Sequence, residues 1–270
     1  MGQLQVVTKV SQQKRSSDRF NLFLDGKYAF SISEDVYVKF HIHKGKELSA
    51  EEIDTIKQAD NVQRAYLLAI HYLSYRMRTE SEMRTQLGKK ELLDDVIEQV
   101  IKRLYDEKLL DDGVFARTFV QDRMNRSTKG PQVIRQELVA KGIPMNNIDE
   151  ALTIFTREKQ IERAFQWGQK EMNKRSKQPL RKRHEQLKTK LLRRGYPKDV
   201  VFEVVDLIHV EVDEDEEFLL LKKEADKLYN RYKNKYENYE LKMHLKQRLY
   251  SRGFSLDNID SYIEKLLNEE

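Results

Sequence analysis

No cysteine occurs in the 270 residues, which excludes disulfides, thiolate metal sites and cysteine nucleophiles and leaves a reducing cytoplasm as the expected compartment. Proline is scarce, at four, and glycine numbers ten. With so few helix breakers, a chain rich in Lys, Glu, Leu and Gln should be mostly helical. No apolar run approaches the roughly 20 residues of a membrane span, and the opening "MGQLQVVTKV" lacks the apolar core of a signal peptide, so no membrane is expected among its partners. Apolar residues make up 39%, which is low for one large α/β core and suited to several small ones.

Catalytic patterns are missing as well. No G-x-x-x-x-G-K-[ST] loop, G-x-G-x-x-G turn, H-E-x-x-H helix or G-x-S-x-G elbow is present, so nothing cradles a nucleotide, holds zinc or aims a serine. His41 and His43 have no third ligand near them, and the acidic run "EVDEDEEF" lacks the glycine turn of a calcium loop. The sole tryptophan, Trp167, reads as a core residue. The expectation is a chain without cofactor or metal that is not an enzyme.

What is present begins with a head of β character over 1–48. In "RFNLFLDGKYAFSI" apolar residues alternate around an Asp-Gly turn signal. A two-residue loop would set Leu22 opposite Ala29 and Phe20 opposite Ser31. A three-residue loop with Gly26 left-handed instead pairs Leu22 with Tyr28 and Phe20 with Phe30, and it is the expected hairpin. Residues 4–10 offer a further strand. "SEDVYVKFHIHKG" admits two readings: its alternation fits a strand, while Ser33 before two acids and Gly45 after a basic end fit a capped helix, which is the reading preferred.

From Ser49 onward the signals are helical, with capping boxes at Ser49…Glu52 and Thr79…Glu82. "LVAKGI", "LLRRGY" and "LYSRGF" end helices alike at Gly142, Gly195 and Gly253, and Glu91 after "LGKK" makes a fourth anchor. Eight and four residues before each anchor, and six, nine, ten and thirteen after it, the residues are apolar in all four copies. Amphipathicity alone would not lock those stripes to a fixed distance from an anchor, so the chain is an internal repeat of about fifty to sixty residues. The architecture expected is mostly α: tandem three-helix bundles in an elongated curved array behind the head, over 49–110, 111–157, 158–210 and 211–270. Glycine suits a left-handed residue after a helix, so the first copy, with Glu91, should turn differently.

Basic residues also keep register. The column one residue before the anchor (Lys90, Lys141, Arg194, Arg252) reads as structural, because a cation in a last turn complements the helix dipole. The column seven before it (Arg84, Arg135, Lys188, Lys246) lies on the rim of the apolar stripe. It reads either as ordinary helix surface or as a stripe facing a partner. The third repeat adds Arg181, Lys182, Arg183, Lys190 and Arg193. Residues 174–198 hold eleven Lys/Arg against the single acid Glu185, which points to a polyanionic or acidic partner. Helices around a glycine turn also resemble a DNA-reading helix-turn-helix. The segments after the anchors, however, begin "PMNNID", "PKDVVF" and "SLDNID", with acids at the cap, which argues against base reading and leaves backbone-type contact with single- or double-stranded DNA open.

Leu110-Asp111-Asp112, Phe115-Ala116, Arg123, Lys129-Gly130-Pro131, Ile134, Glu137-Leu138 and Lys141-Gly142-Ile143 resemble the central signature of the RecX family, regulatory proteins of the bacterial RecA recombinase. "AYLLAIHYLSYRMRTESEMRTQL" is similar to that family's preceding unit, and the head with a fourth repeat resembles the long form of Firmicutes-type bacteria. Physically, Asp111 or Asp112 caps the helix carrying Phe115, and Pro131 starts the next. The resemblance implies a non-enzymatic modulator lying in the groove of the RecA–single-stranded DNA filament. Separately, the sequence shows no isologous apolar patch of the kind a stable dimer needs, so a monomer is expected.

Overall fold

The computed structural model describes residues 4–14, 16–174, 176–209 and 214–268; part of the acidic run, 211–213, lies outside them. Four strands, β1 (Gln5–Gln13), β2 (Ser16–Leu24), β3 (Lys27–Ser33) and β4 (Glu47–Leu48), form an antiparallel sheet in the order β3-β2-β1-β4. The β2–β3 hairpin corrects the expected loop. Asp25 and Gly26 both have positive φ, 48° and 81°, and Leu24 pairs with Lys27 across this two-residue turn. A register shift then sets Leu22 against Phe30 and Phe20 against Ile32. The bulge at Ala29 thus relieves the large-against-small mismatch that made a two-residue loop unattractive.

The short helix α1 (Glu34–Lys39) forms after Ser33, but the Ser33 side chain makes no cap bond to it. It stops earlier than Gly45, because His41 takes the left-handed turn at φ 48°. Helix α2 (Ala50–Leu73) opens with the Ser49–Glu52 capping box. Its first half packs Ile53 and Ile56 under the sheet with Val7, Leu22 and Ile32. Buried Asp60 receives the Arg19 guanidinium at 2.8 Å and the Ser33 N–H at 2.7 Å. The second half of α2 belongs to another core, through Ala65 and Ala69.

That core is the first repeat: α2 with α3 (Glu80–Gly88) and α4 (Asp94–Asp106). The second repeat comprises α5 (Asp112–Arg126), α6 (Pro131–Ala140) and α7 (Met145–Leu152). The third comprises α8 (Arg157–Met172), α9 (Leu180–Arg193) and α10 (Lys198–Leu207), and the fourth α11 (Glu214–Tyr232), α12 (Asn238–Ser251) and α13 (Leu256–Asn268). The chain therefore is mostly α, with tandem three-helix units behind a small β head. It divides into two compact units, 1–116 with 138–148, and 117–137 with 149–270.

The sequence columns are the cores. Met83, Ile134, Leu187 and Leu245, and likewise Leu87, Leu138, Leu191 and Leu249, are all at most 1% exposed. Val100, Ala151, Val204 and Tyr262 are buried too. The anchors share one conformation: φ is 55° at Glu91, 77° at Gly142, 86° at Gly195 and 99° at Gly253. The first copy shares the left-handed φ, so Glu91 accepts a strain that its glycine counterparts avoid, while the Leu87 carbonyl there accepts from the Lys90 N–H. In the glycine copies the N–H after the anchor donates to the carbonyl five residues back (Ile143 to Leu138, Tyr196 to Leu191, Phe254 to Leu249), which closes the helix end with a 6→1 bond.

Candidate functional site

The residue before each glycine and the glycine itself face the start of the second helix of the preceding repeat. A β-carbon on Gly142 would lie 2.4 Å from Ser81 Cβ, one on Gly195 would lie 2.6 Å from Val133 N, and one on Gly253 would lie 2.9 Å from Lys182 Cβ. Ser81, Val133 and Lys182 all stand in the first turn of their helices, α3, α6 and α9. The contact is bonded as well as close. Thr79 Oγ1 donates to the Lys141 carbonyl at 2.9 Å. Gly130 N–H donates to the Arg194 carbonyl at 2.7 Å, and Gln132 N–H to that of Gly195 at 3.1 Å. Gly130 is itself needed there, since a β-carbon on it would meet the Gly195 carbonyl carbon at 2.5 Å. Glu91 sits in the first repeat, where no earlier repeat approaches, so its side chain is free of this steric demand.

Acids complete the joint. The first backbone N–H of a helix has no partner within the helix. For α3 it is that of Glu80, which donates to Asp112 Oδ1 at 2.9 Å. For α9 it is that of Leu180, which donates to Glu217 Oε1 at 3.2 Å. Each acid comes from the opening turn of the first helix of the following repeat. For α6 the first residue is Pro131, which has no N–H to satisfy. The paired Asp111-Asp112 of the signature therefore divides its work: Asp111 caps α5 through Val114 N–H at 2.8 Å, and Asp112 caps the neighbouring repeat. Burial raises the Asp112 carboxyl pKa, and the Glu80 N–H partly offsets that rise. At Thr79 the N-cap bond forms at 3.1 Å, but the Glu82 carboxylate binds Arg76 at 3.0 Å and Lys141 at 3.1 Å instead.

The column seven before the anchor has partners inside its own repeats. Arg84 pairs with Glu98, Arg135 with Asp149 at 2.5 Å, and Lys246 with Asp260 at 2.6 Å, in each case fourteen residues on. Lys188 keeps the same spacing but lies over the Phe202 ring at 5.3 Å, with Glu185 as its ion partner at 3.0 Å. The bonds to Glu98 and then Glu80 hold the Arg84 guanidinium well above its ordinary pKa. Each pair ties the second helix to the third. The periodicity of the column has a cause within the fold and requires no outside partner to explain it.

The predicted cations of the third repeat separate by role. Arg181 stacks over Tyr250 at 4.0 Å and donates to its hydroxyl at 2.8 Å. Arg183 donates to the carbonyls of Met172 and Lys174. Lys190 pairs with Glu171. Lys182 abuts Gly253 and lines an open cavity of about 310 Å³ with Lys177, Lys223, Arg252 and Phe254. Among the described residues Lys182 and Arg193 have no ionic partner. The reading of the sequence did not find the triad of Glu137 with Arg123 at 2.8 Å and Lys129, which joins three signature residues.

Models of four RecX domains match successive segments. The regulatory protein RecX N-terminal domain matches 5–49 and the first three-helix domain 65–104; the second three-helix domain matches 111–152 and the third 214–263. The regulatory protein RecX of Bacillus subtilis is 42% identical over 265 residues, 98% of either chain, and that of Bacillus velezensis is 40% identical over 260 residues, 96% of this chain and 98% of the relative. The chain belongs to the RecX family of regulatory proteins. A crystal structure of a regulatory protein RecX superposes at a TM-score of 0.67 with 37% identity, covering 75% of this chain and 99% of that one. RecX from Lactobacillus salivarius gives 0.54 with 33% identity, covering 56% and 99%. The repeat at 158–210, which carries most of the predicted basic patch, lies between the last two matched segments. Among the described residues no helix is long and apolar enough to cross a membrane.

Proposed function

We propose that this RecX-family chain is a non-enzymatic regulator that lies in the helical groove of the RecA–single-stranded DNA filament, bridges neighbouring protomers and so restrains ATP hydrolysis, strand exchange and coprotease activity. The observation that carries the reading is the repeated joint: Ser81–Gly142, Val133–Gly195 and Lys182–Gly253 meet in the same way. A helical filament offers the same surface at regular intervals, and modules linked by one kind of joint offer one contact each, so that individually weak contacts combine. RecA is the partner that the family name supports. We place Lys182 and Arg193 at the contact, because other predicted cations already have partners within the chain.

These unpaired cations also favour a second reading, a backbone-type nucleic-acid-binding protein that acts without RecA. One experiment separates the two. The protein is titrated into RecA on single-stranded DNA while ATP hydrolysis is followed, beside salt-dependent binding to naked DNA. A fall in hydrolysis at concentrations too low to coat the DNA supports the RecA reading. An effect only when the DNA is saturated supports the other.

A further inference from the structure

Helix α8 carries Arg163, Gln166, Trp167 and Lys170 at helical spacing on one side, and Ala164, Gly168 and Met172 buried on the other. The polar side forms one wall of an open cavity of about 230 Å³, whose opposite wall is the end of α5 and the loop after it, with Arg126 and Thr128. Arg194 fixes the two walls together: its guanidinium lies 4.1 Å from the Trp167 ring and donates to Thr128 Oγ1. Among the described residues none that lines the cavity is acidic.

The charges at this cavity are poorly compensated. Arg126 is 82% exposed, with Asp122 beside it at 3.1 Å, and Asp122 also contacts Arg123. Among the described residues Arg163 and Lys170 have no ionic partner. Three cations around a narrow concavity repel one another, and a fourth stands behind the aromatic ring. An anion with several linked charges relieves that repulsion better than separate small ions, because its later contacts are intramolecular. Cations flanking an aromatic side chain form the arrangement that tracks a single-stranded phosphodiester backbone while offering a π surface to a base. The indole, with a guanidinium plane on it, supplies that surface here.

We propose that the cavity between the end of α5 and α8 is a binding site for single-stranded nucleic acid, with Arg126, Arg163 and Lys170 on its phosphates and the Trp167–Arg194 stack beside a base. This site rests on no contact with RecA, so its test omits RecA, and its failure leaves the regulatory reading standing.

Trp167 is the only tryptophan of the chain, which makes its emission a local reporter. The full chain is titrated with an oligothymidine longer than about 16 nucleotides, at several salt concentrations. Binding should shift or quench the emission. Arg163→Gln with Lys170→Gln should flatten the slope of log affinity against log salt by about 1.4, since each single-strand phosphate that is no longer neutralised takes about 0.7 from it. Arg126→Gln alone should flatten it by about half as much, and serves where the double variant fails to show the far-ultraviolet circular dichroism of the parent. Lys102→Gln, in the wall of a different cavity, should leave the slope unchanged. Binding with no change in Trp167 emission, or slopes equal to the parent in both test variants, overturns the proposal. Equal quenching by polyglutamate, or tighter binding of a duplex of the same length, overturns the assignment to single strands.

Discussion

The amide nitrogen of Val133 lies 2.6 Å from the point where a β-carbon at position 195 would stand. Backbone cannot swing aside as the end of a flexible side chain can. Gly195→Ala is therefore expected to cost at least about 2 kcal/mol, from left-handed strain and steric overlap together, and to lower the urea midpoint accordingly. Glu91→Gly, at the anchor that no earlier repeat approaches, should instead stabilise by up to about 1 kcal/mol. Equal losses in the two variants would refute the joint.

Asp112 offers a test of the buried cap. Its pKa is raised by burial, so the folded state holds the proton more tightly than the unfolded chain. The contribution of Asp112 to stability consequently falls as pH rises from the ordinary carboxylate range through the folded value. Asp112→Asn keeps an oxygen for the Glu80 N–H and should remove that slope at little cost. Asp112→Ala orphans the N–H and should cost about 1–3 kcal/mol. Denaturant melts across the acid range distinguish them.

Glu137 has the opposite sign. Burial would raise its pKa, but Lys129 and Arg123 prevail and hold it below the usual value. Its stabilisation is present above the unfolded pKa of about 4.3 and is lost as pH falls through the lowered folded value. Glu137→Gln should thus be less stable than the parent at neutral pH, and the gap should close in acid below about pH 4.

Arg135 and Asp149 are 37% and 59% exposed. A double-mutant cycle on this pair should give a coupling of about 0.2–1 kcal/mol, shrinking in high salt. A coupling well above that range would mean that the column does more than fasten two helices.

The cores were legible because burial imposes a period: the columns through Leu138, Leu191 and Leu249 follow from spacing alone. Legible too, yet not found, were the acids Glu98, Asp149 and Asp260, which keep step with the basic column and name its partners. The joint was not legible. Ser81 and Gly142 belong to different repeats, and no local pattern reveals that one crowds the other. Nor did alternation expose the bulge at Ala29, since a bulge exists to reconcile two registers that a strict pattern treats as rivals. In the basic run at 174–198, nearness in sequence does not give the residues one role: Arg181 lies over Tyr250 and Arg183 donates to carbonyls at the end of α8, whereas Lys182 and Arg193 have no ionic partner among the described residues.

Each interior module carries both halves of the coupling: a glycine that is received and a helix start that receives the next. A duplicated interior copy would therefore fit its own template, and evolution can lengthen such a chain from within. Ahead of the first module the way is closed, because Glu91 gives any newcomer a side chain where bare backbone is required.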